Sequence, residues 1–226
     1  MIIAMVFFMR QLQRELTLIC RQIKTVLFVV LFFGMVIIFF PLTLTPTPEM
    51  LQKILPGLLW TAMLLSMLLA SENFFQRDYV EGVIEQWLVS GVSLEVLIVA
   101  KISAHWLLTT LSIALLCPII GLLFNLNIYQ IIMTIVLLAI STPCIIFLCA
   151  LAAAFCIGIS QQGAIVALIL LPLSLPIMIF GSGGLNSLLI GDSISAELAM
   201  LAAISLLAIT LLPYAIAAVI RIGCAD

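Results

Sequence analysis

Charged residues are what this sequence lacks most. Asp, Glu, Lys and Arg make up 8% of its 226 residues, whereas soluble domains carry about 25%. Hydrophobic residues make up 65%, and the mean hydropathy is +1.42. So few charges could not cover the surface of a soluble fold of this length. The composition therefore predicts an all-α integral membrane protein, and the net charge of −2 predicts no nucleic-acid partner.

Motifs for nucleotide and metal chemistry are missing as well. The nearest approach to a Walker A motif is GISQQG at 158–163, but Ala164 and Ile165 follow where a lysine and a hydroxyl residue are required. His105 is the only histidine, so one copy of the chain cannot form a metal site with two histidines. The six cysteines include no CxxC pair, and most lie in apolar runs, where cysteine packs as a small hydrophobe. We expect no catalytic residue and no metal.

Long apolar runs are what the sequence does contain. A transmembrane helix needs about 20 mostly apolar residues. The fourth run is long enough to tilt in the membrane or to bend at Pro143. Pro172 and Pro176 are expected to make the fifth run irregular, so that buried neighbours must satisfy the backbone groups that these prolines free. We predict six spans, at about 25–42, 54–71, 102–124, 130–157, 164–180 and 197–220.

Basic residues divide unequally between the two sides of these spans. The connections at 43–53, 125–130 and 181–197 contain one basic residue, Lys53. Cytoplasmic segments of membrane proteins are enriched in Lys and Arg, so we predict that both termini and the loop after span two face the cytoplasm. The seven basic residues on that side are Arg10, Arg14, Arg21, Lys24, Arg77, Lys101 and Arg221.

Residues 1–24, before the first span, show two stripes at helical spacing. The first nine residues are apolar and precede the basic cluster, the reverse of a secretory signal, so we expect no cleaved signal, and Met5 or Met9 is an alternative start. An amphipathic helix in the inner membrane interface explains both stripes, and a plain extension of span one is the alternative. One stripe holds Arg10, Arg14, Thr17, Arg21 and Lys24, and the other Phe8, Leu12, Leu16, Ile19 and Ile23.

The stretch SENFFQRDYVEGVIEQWLVSG at 71–91 carries four of the ten carboxylates. On a helix over 76–90, Arg77, Glu81 and Glu85 share one face, with Asp78 beside them. Acid beside an anionic inner leaflet favours a protein partner over plain solvation of an interfacial segment. Gly82 weakens the helix and leaves room for a close approach. A second face forms one apolar band of Tyr79, Val80, Val83, Ile84, Trp87 and Leu88.

These residues resemble the CcmB family, the membrane subunit of the haem-exporter-type ABC system of cytochrome c maturation. The loop element is shared with type-2 ABC exporter membrane domains in general. The segments AKISAHW at 100–106 and PLSLPIMIF at 172–180 narrow the resemblance to CcmB, and FFPLTLTPTPEMLQKILPGLLW at 39–60 extends it over nearly the whole chain. The matching loop and helix residues are Glu72, Asp78, Glu81, Gly82, Gln86, Lys101, Ala104, His105 and Trp106.

The resemblance implies a coupling helix at about 76–90 that docks into a groove of a CcmA-type ATP-binding subunit, with its apolar band packed on the membrane domain. It also implies a second copy of the chain, a CcmC-type haem-handling protein, a small accessory membrane subunit, ATP on the partner, haem as a candidate substrate and a multi-pass location in the bacterial inner membrane. The residues expected to contact the ATPase are Glu72, Arg77, Asp78, Tyr79, Glu81, Gly82, Glu85 and Gln86.

Lys101 and His105 lie one helical turn apart near the cytoplasmic mouth of span three. His105 could supply a single haem ligand, or it could anchor the helix at the headgroup boundary while Lys101 snorkels to the lipid phosphates. The tryptophan-rich haem motif of CcmC-type proteins is missing from this sequence.

Three function classes remain open from the sequence. The first is the non-catalytic membrane subunit of an exporter, and the second is a scaffold that relays the ATPase stroke to a neighbouring haem-handling protein without transporting substrate. The third, a proton-coupled secondary transporter, lacks its usual carboxylate in the middle of a span, because Asp192 and Glu197 are expected in or beside an outer, solvated loop.

Overall fold

A computed structural model describes residues 2–21, 23–44, 47–71, 74–158 and 162–223. These residues form nine helices, and the described ranges contain no strand, in agreement with the all-α prediction. In chain order the helices are α1 Ile2–Arg21, α2 Ile23–Leu44, α3 Pro48–Ser71, α4 Gln76–Val80, α5 Val83–Val89, α6 Leu94–Leu123, α7 Ile128–Phe155, α8 Gln162–Ile190 and α9 Ser195–Gly223.

Five stretches of the described chain are long and apolar enough to cross a membrane, and α2 adds a shorter apolar run, Leu27–Thr43. The first stretch begins in α3 and continues past the undescribed residues 72 and 73 into α4. The chain is therefore a multi-pass membrane protein, while the count of six spans stays a prediction. The five stretches are Glu49–Val80, Leu94–Leu123, Ile128–Phe155, Gly163–Ile190 and Ser195–Gly223.

Polar contacts show which helix ends meet. At one end, Arg221 near the end of α9 pairs with Glu95 in the first turn of α6, with 2.9 Å between Nη2 and Oε1. The Gln76 side chain of α4 accepts a hydrogen bond from the Gly158 N–H, just after α7. We call the end of the bundle that contains these two contacts the α4 end. At the opposite end, Gln52 near the start of α3 donates to the Phe124 carbonyl, just after α6.

Two large apolar clusters hold the bundle together. The first joins α2, α3, α6, α7, α8 and α9 and includes Phe33, Trp60 and Met63, each fully buried. The second lies at the α4 end, where Phe75 and Ile84 pack against α6, α7 and α9. Because lipid is as apolar as these side chains, close van der Waals packing rather than removal from water stabilises such contacts within a membrane.

Helix α7 is central to the bundle, with residues 141–150 all buried. Pro143 has no backbone N–H, so the Ala139 carbonyl one turn earlier loses its usual helical donor. The Thr142 hydroxyl donates to this carbonyl at 3.3 Å and also accepts from the Trp106 indole of α6 at 2.9 Å. A second hydroxyl, from Thr110, lies 3.1 Å from the Thr142 hydroxyl. The Thr142 hydroxyl thus satisfies the carbonyl freed by Pro143.

Replacing Thr142 with valine is expected to lower the free energy of unfolding by about 1–2 kcal/mol, because it leaves the Trp106 indole and the Ala139 carbonyl without their partner. Thr210→Val is the matched control, since the Thr210 hydroxyl is exposed and bonds carbonyls of its own helix only. Unfolding of the full chain in mixed micelles with increasing sodium dodecyl sulfate measures both changes. Equal effects of the two substitutions would contradict a special role for Thr142.

Helix α8 is longer than the sequence suggests. GSGG at 181–184 is typical of a loop, yet α8 continues through it to Ile190, so the connection to α9 shrinks from the expected 181–197 to a short loop at 191–194. The Gly181 position faces the indole of Trp60 in α3 so closely that a Cβ there would overlap the ring. A Cβ at Gly184 would not overlap its neighbours but would contact them tightly, at 3.1 Å from Leu137 Cδ2 and 3.2 Å from Glu197 Cβ. Small residues at helix contacts are common in membranes, and here packing outweighs the poor helix propensity of glycine.

Glu197 also differs from the expectation of a solvated side chain. It lies half-buried in the first turn of α9, and its Oε1 accepts a hydrogen bond of 2.9 Å from the Ser187 hydroxyl of α8. Asp192 is exposed in the short loop, as expected. An acid at a helix N-terminus is stabilised by the positive end of the helix dipole, which favours this position for Glu197.

Candidate functional site

The segment predicted as one helix over 76–90 is two short helices, α4 and α5, which we call the α4–α5 hairpin. The helix breaks at Gly82, whose φ of 68° lies in the left-handed region that side chains other than glycine rarely adopt. The Glu81 and Gly82 N–H groups close α4 by donating to the carbonyls of Arg77 and Tyr79. The sequence prediction of a continuous helix is wrong because the weak position at Gly82 ends α4 instead of being tolerated within it.

This break also divides the apolar band. Val83, Ile84 and Trp87 of α5 are buried against the bundle, as the resemblance implies. Val80 remains 75% exposed, and Tyr79 and Leu88 are exposed as well, so the prediction that the whole band packs on the membrane domain is wrong for these three. Since α4 and α5 turn different faces outward, the hairpin presents apolar side chains beyond the bundle.

Acidic side chains lie among these exposed apolar groups. Glu81 and Glu85 are exposed, as is Gln86. Glu81 pairs with Arg77 within the hairpin, at 2.7 Å between Oε1 and Nε, whereas Glu85 has no ion pair within the described ranges. The outer surface of the hairpin therefore combines a free carboxylate, a paired one and apolar side chains. Glu72, also expected to contact the partner, lies outside the described residues.

Asp78 departs from the predicted acidic face. Its side chain is buried at the base of the hairpin, with Oδ2 2.8 Å from the Nζ of Lys101 in α6. The same Nζ donates to Oε2 of Glu15 in α1 at 3.0 Å. The Lys101 side chain is 7% exposed, so it does not snorkel to the headgroups as predicted. One ammonium thus joins α1, α4 and α6, and we call these three residues the buried ion cluster.

Glu15 is the residue of this cluster that the sequence analysis missed. Its side chain is 2% exposed and accepts a second hydrogen bond, from Gln11 Nε2 at 2.8 Å. The sequence does contain a pattern that could have indicated Glu15, because it is the single acid in a segment otherwise rich in arginine. A single acid within a basic helix indicates an internal partner rather than a lipid surface.

His105 lies beside the cluster, one turn further along α6. Its ring stacks on Phe74 with 4.4 Å between centroids and a 37° angle between planes. Phe74 lies at the start of the hairpin, and the Lys101 ammonium is 6.0 Å from its ring centroid. His105 thus faces the hairpin within the protein, and its role as a haem ligand stays a prediction.

A cleft of about 510 Å³ opens between α1, α4 and α6 above the cluster. Its walls carry both signs of charge, from Arg14, Arg77 and Glu81 as well as the cluster. Within the described ranges, no group of three or more His, Cys, Asp and Glu side chains could hold a metal ion. Buried contacts thus join the hairpin to the helices of the bundle.

Comparisons with known proteins give the same family as the motifs. The family model described as CcmB protein matches residues 6–223. The chain is similar to the Heme exporter protein B of Pseudomonas aeruginosa, with 39% identity over 212 residues that cover 94% of this chain and 95% of that protein. It is also similar to the Heme exporter protein B of Haemophilus influenzae, with 36% identity over 216 residues that cover 96% and 98% of the two chains.

Proposed function

Since this chain belongs to the CcmB family, we propose that it is the membrane subunit of a haem-export system for cytochrome c maturation, coupled through the α4–α5 hairpin to a separate ATP-binding subunit. The chain itself is non-catalytic in this proposal, and ATP is bound and hydrolysed by the partner. The observation that carries the proposal is the exposed acidic and apolar surface of the hairpin, whose inner side is anchored in the bundle.

The hairpin surface favours a protein partner over water or lipid. Val80 and Val89 are 75% and 85% exposed, which is unfavourable in water. Glu81 and Glu85 lie among them and would be repelled by an anionic leaflet. A groove with an apolar floor and basic rim complements both features. We infer that the ATP-binding subunit supplies such a groove.

The buried ion cluster provides a route from this surface into the bundle. A displaced hairpin moves Asp78, and Asp78 is joined through Lys101 to α6 and through Glu15 to α1. A closely packed interior has few intermediate arrangements, so a displacement applied to one side chain moves the packed helices as units. In the proposal, ATP binding and hydrolysis use this connection to bias the bundle between two arrangements.

Six spans with the α4 end in the cytoplasm fit this function. The structure gathers Arg14, Arg77, Lys101 and Arg221 toward the α4 end, whereas Lys53 lies beside Gln52 at the opposite end. This distribution supports an orientation with the hairpin on the cytoplasmic side of the bacterial inner membrane. The other proposed partners are a second copy of the chain, a CcmC-type haem-handling protein and a small accessory membrane subunit.

The relay alternative is favoured by one observation. The centre of α7 is fully buried over 141–150, and the Thr142 hydroxyl is bonded to protein groups of α6 and α7. Among the described residues, the packed centre of α7 offers no polar lining for haem. The alternative is therefore that the chain relays the ATPase stroke to a neighbouring haem-handling subunit, which itself moves the haem.

Charge reversal in the hairpin tests the docking proposal. We expect Glu85→Lys to reduce co-purification of the co-expressed ATP-binding subunit by about tenfold or more, because it places like charges in contact with the basic rim. Glu81→Lys also removes the partner of Arg77, and the double variant is expected to abolish co-purification. Glu49→Lys is the matched control, because Glu49 is an exposed acid at the other end of α3. Undiminished pairing in the double variant would refute docking through these acids.

A further inference from the structure

We propose that the groove between α1, α2 and α6 is a binding site for an anionic phospholipid, whose phosphate is held by a row of arginines on α1 and whose acyl chain lies in the groove. The groove contains no residue of the α4–α5 hairpin, although Arg14 also borders the cleft beside the hairpin, and the site does not depend on whether an ATPase docks there.

The arginine row is the first observation. Arg10, Arg14 and Arg21 are separated by four and seven residues, close to one and two helical turns, so they lie on one face of α1. All three are exposed and none has an ion pair within the described ranges. Their face is distinct from the one that carries Glu15 into the buried ion cluster. The fold leaves these three positive charges without a counter-charge from the described chain.

The second observation is an apolar groove that meets the row at one end, where Cys20 lines the groove and Arg21 follows it in the chain. A recess of about 300 Å³ is lined by Ile19 and Cys20 of α1, Leu27 and Val30 of α2, and Leu108 of α6, with Ser112 among them. Ser112 adds no free polar group, since its hydroxyl donates to the Leu108 carbonyl of its own helix at 2.7 Å. The groove is therefore apolar throughout, and Cys20 at its edge is adjacent in sequence to Arg21.

Together the two features match one amphiphile. Leu27 is 52% and Leu115 70% exposed at the groove, so it opens sideways from apolar helices. In the proposal an acyl chain fills this groove and its phosphate lies at the Arg21 end, beside the recess that all three arginines line. Guanidinium groups bind phosphate oxygens well. A protein helix would fill the groove but would need acidic side chains at one end to neutralise the arginines. The anionic lipid of the surrounding membrane supplies both parts in one molecule.

Lipid titration of the purified full chain, followed by native mass spectrometry, tests the site. The probes are phosphatidylglycerol, which is anionic, and phosphatidylcholine, which has no net charge. Each arginine is expected to favour the anionic lipid by about fivefold, so the wild type prefers it on the order of 100-fold. The triple variant Arg10→Gln, Arg14→Gln, Arg21→Gln is expected to bind both lipids alike, whereas Lys53→Gln, at the opposite end, keeps the preference.

A variant that fills the groove tests the contribution of the acyl chain to binding, apart from that of the headgroup. Ser112→Phe is expected to weaken binding of both lipids by about tenfold. Leu122→Phe on the same helix is its control, because Leu122 is 84% exposed and outside the groove. A wild type without preference for the anionic lipid, a preference that survives the triple variant, or unchanged binding in Ser112→Phe would each overturn the proposal.

Cys20 gives a readout that needs no disruptive variant. It is exposed at the groove, whereas the other described cysteines are buried. In a Cys224→Ser background, bound lipid is expected to slow maleimide labelling of Cys20 at least fivefold in phosphatidylglycerol nanodiscs relative to phosphatidylcholine nanodiscs. Equal rates would overturn the proposal, as would a subunit complex in which the groove is covered by protein and no lipid is retained.

Discussion

Replacing Lys101 with methionine is expected to lower the free energy of unfolding by about 3–5 kcal/mol. Methionine fills a similar volume but supplies no charge, so Glu15 and Asp78 would remain buried as two carboxylates without a cation. Such groups are far costlier unpaired than paired. Unfolding of the full chain in micelles with increasing sodium dodecyl sulfate measures the loss, and reduced yield of folded protein accompanies it.

Two further variants distinguish the cost of leaving buried charges unpaired from the cost of losing any salt bridge. Arg221→Met also removes an ion pair, with Glu95, but the Arg221 side chain is 55% exposed, so its loss is expected to cost no more than about 1 kcal/mol. Adding Glu15→Gln and Asp78→Asn to Lys101→Met removes the unpaired charges and is expected to recover most of the stability. If Lys101→Met costs no more than Arg221→Met, the cluster is not a buried ion pair.

Gly181→Ala is expected to cost about 3 kcal/mol in the same measurement. A Cβ at this position would overlap the Trp60 ring at three of its atoms. Trp60 is fully buried, so its ring cannot turn aside without displacing other core side chains. Overfilling a packed interior forces strained rotamers or a shift of the helices, and here the contact lies between α3 and α8.

Gly183→Ala is the matched control, two residues along the same helix. A Cβ there meets nothing within 4 Å. Because alanine favours helix more than glycine does, this change is expected to be neutral or to stabilise by up to about 1 kcal/mol. In a Trp60→Leu background, which gives the new methyl group room, Gly181→Ala is expected to lose most of its cost. An equal effect of the two glycine substitutions would refute the close contact.

The sequence predicts well what depends on apolar length. Helical stretches such as 102–124 and 197–220 correspond to α6 and α9, because an apolar run of this length has few alternatives to a helix in lipid. The sequence predicts local structure less well where a contact between residues far apart in the chain determines it. The continuation of α8 through GSGG depends on how Trp60 of another helix packs, and no local pattern shows this.

The candidate site shows the same division. The position of the acidic segment and its exposed carboxylates Glu81 and Glu85 follow from local spacing. The burial of Asp78 does not, because it depends on Lys101 of α6 reaching the hairpin, and on Glu15 reaching the same ammonium from α1. Helical periodicity assigns a charge to a face but not to a partner. The break at Gly82 is only partly predictable from the sequence. A glycine indicates a weak point in a helix, but it does not show whether the backbone there stays helical or takes a left-handed conformation.

The sharing of one ammonium by α1 and α4 also constrains biogenesis. Glu15 precedes its cation by 86 residues in the chain. At translation rates of about 5–20 residues per second, roughly 4–17 s pass between the synthesis of the two. During that interval the carboxylate has no cation beside it and stays hydrated, so α1 cannot yet take its buried position. Helix α1 is thus synthesised well before it can be fixed in place.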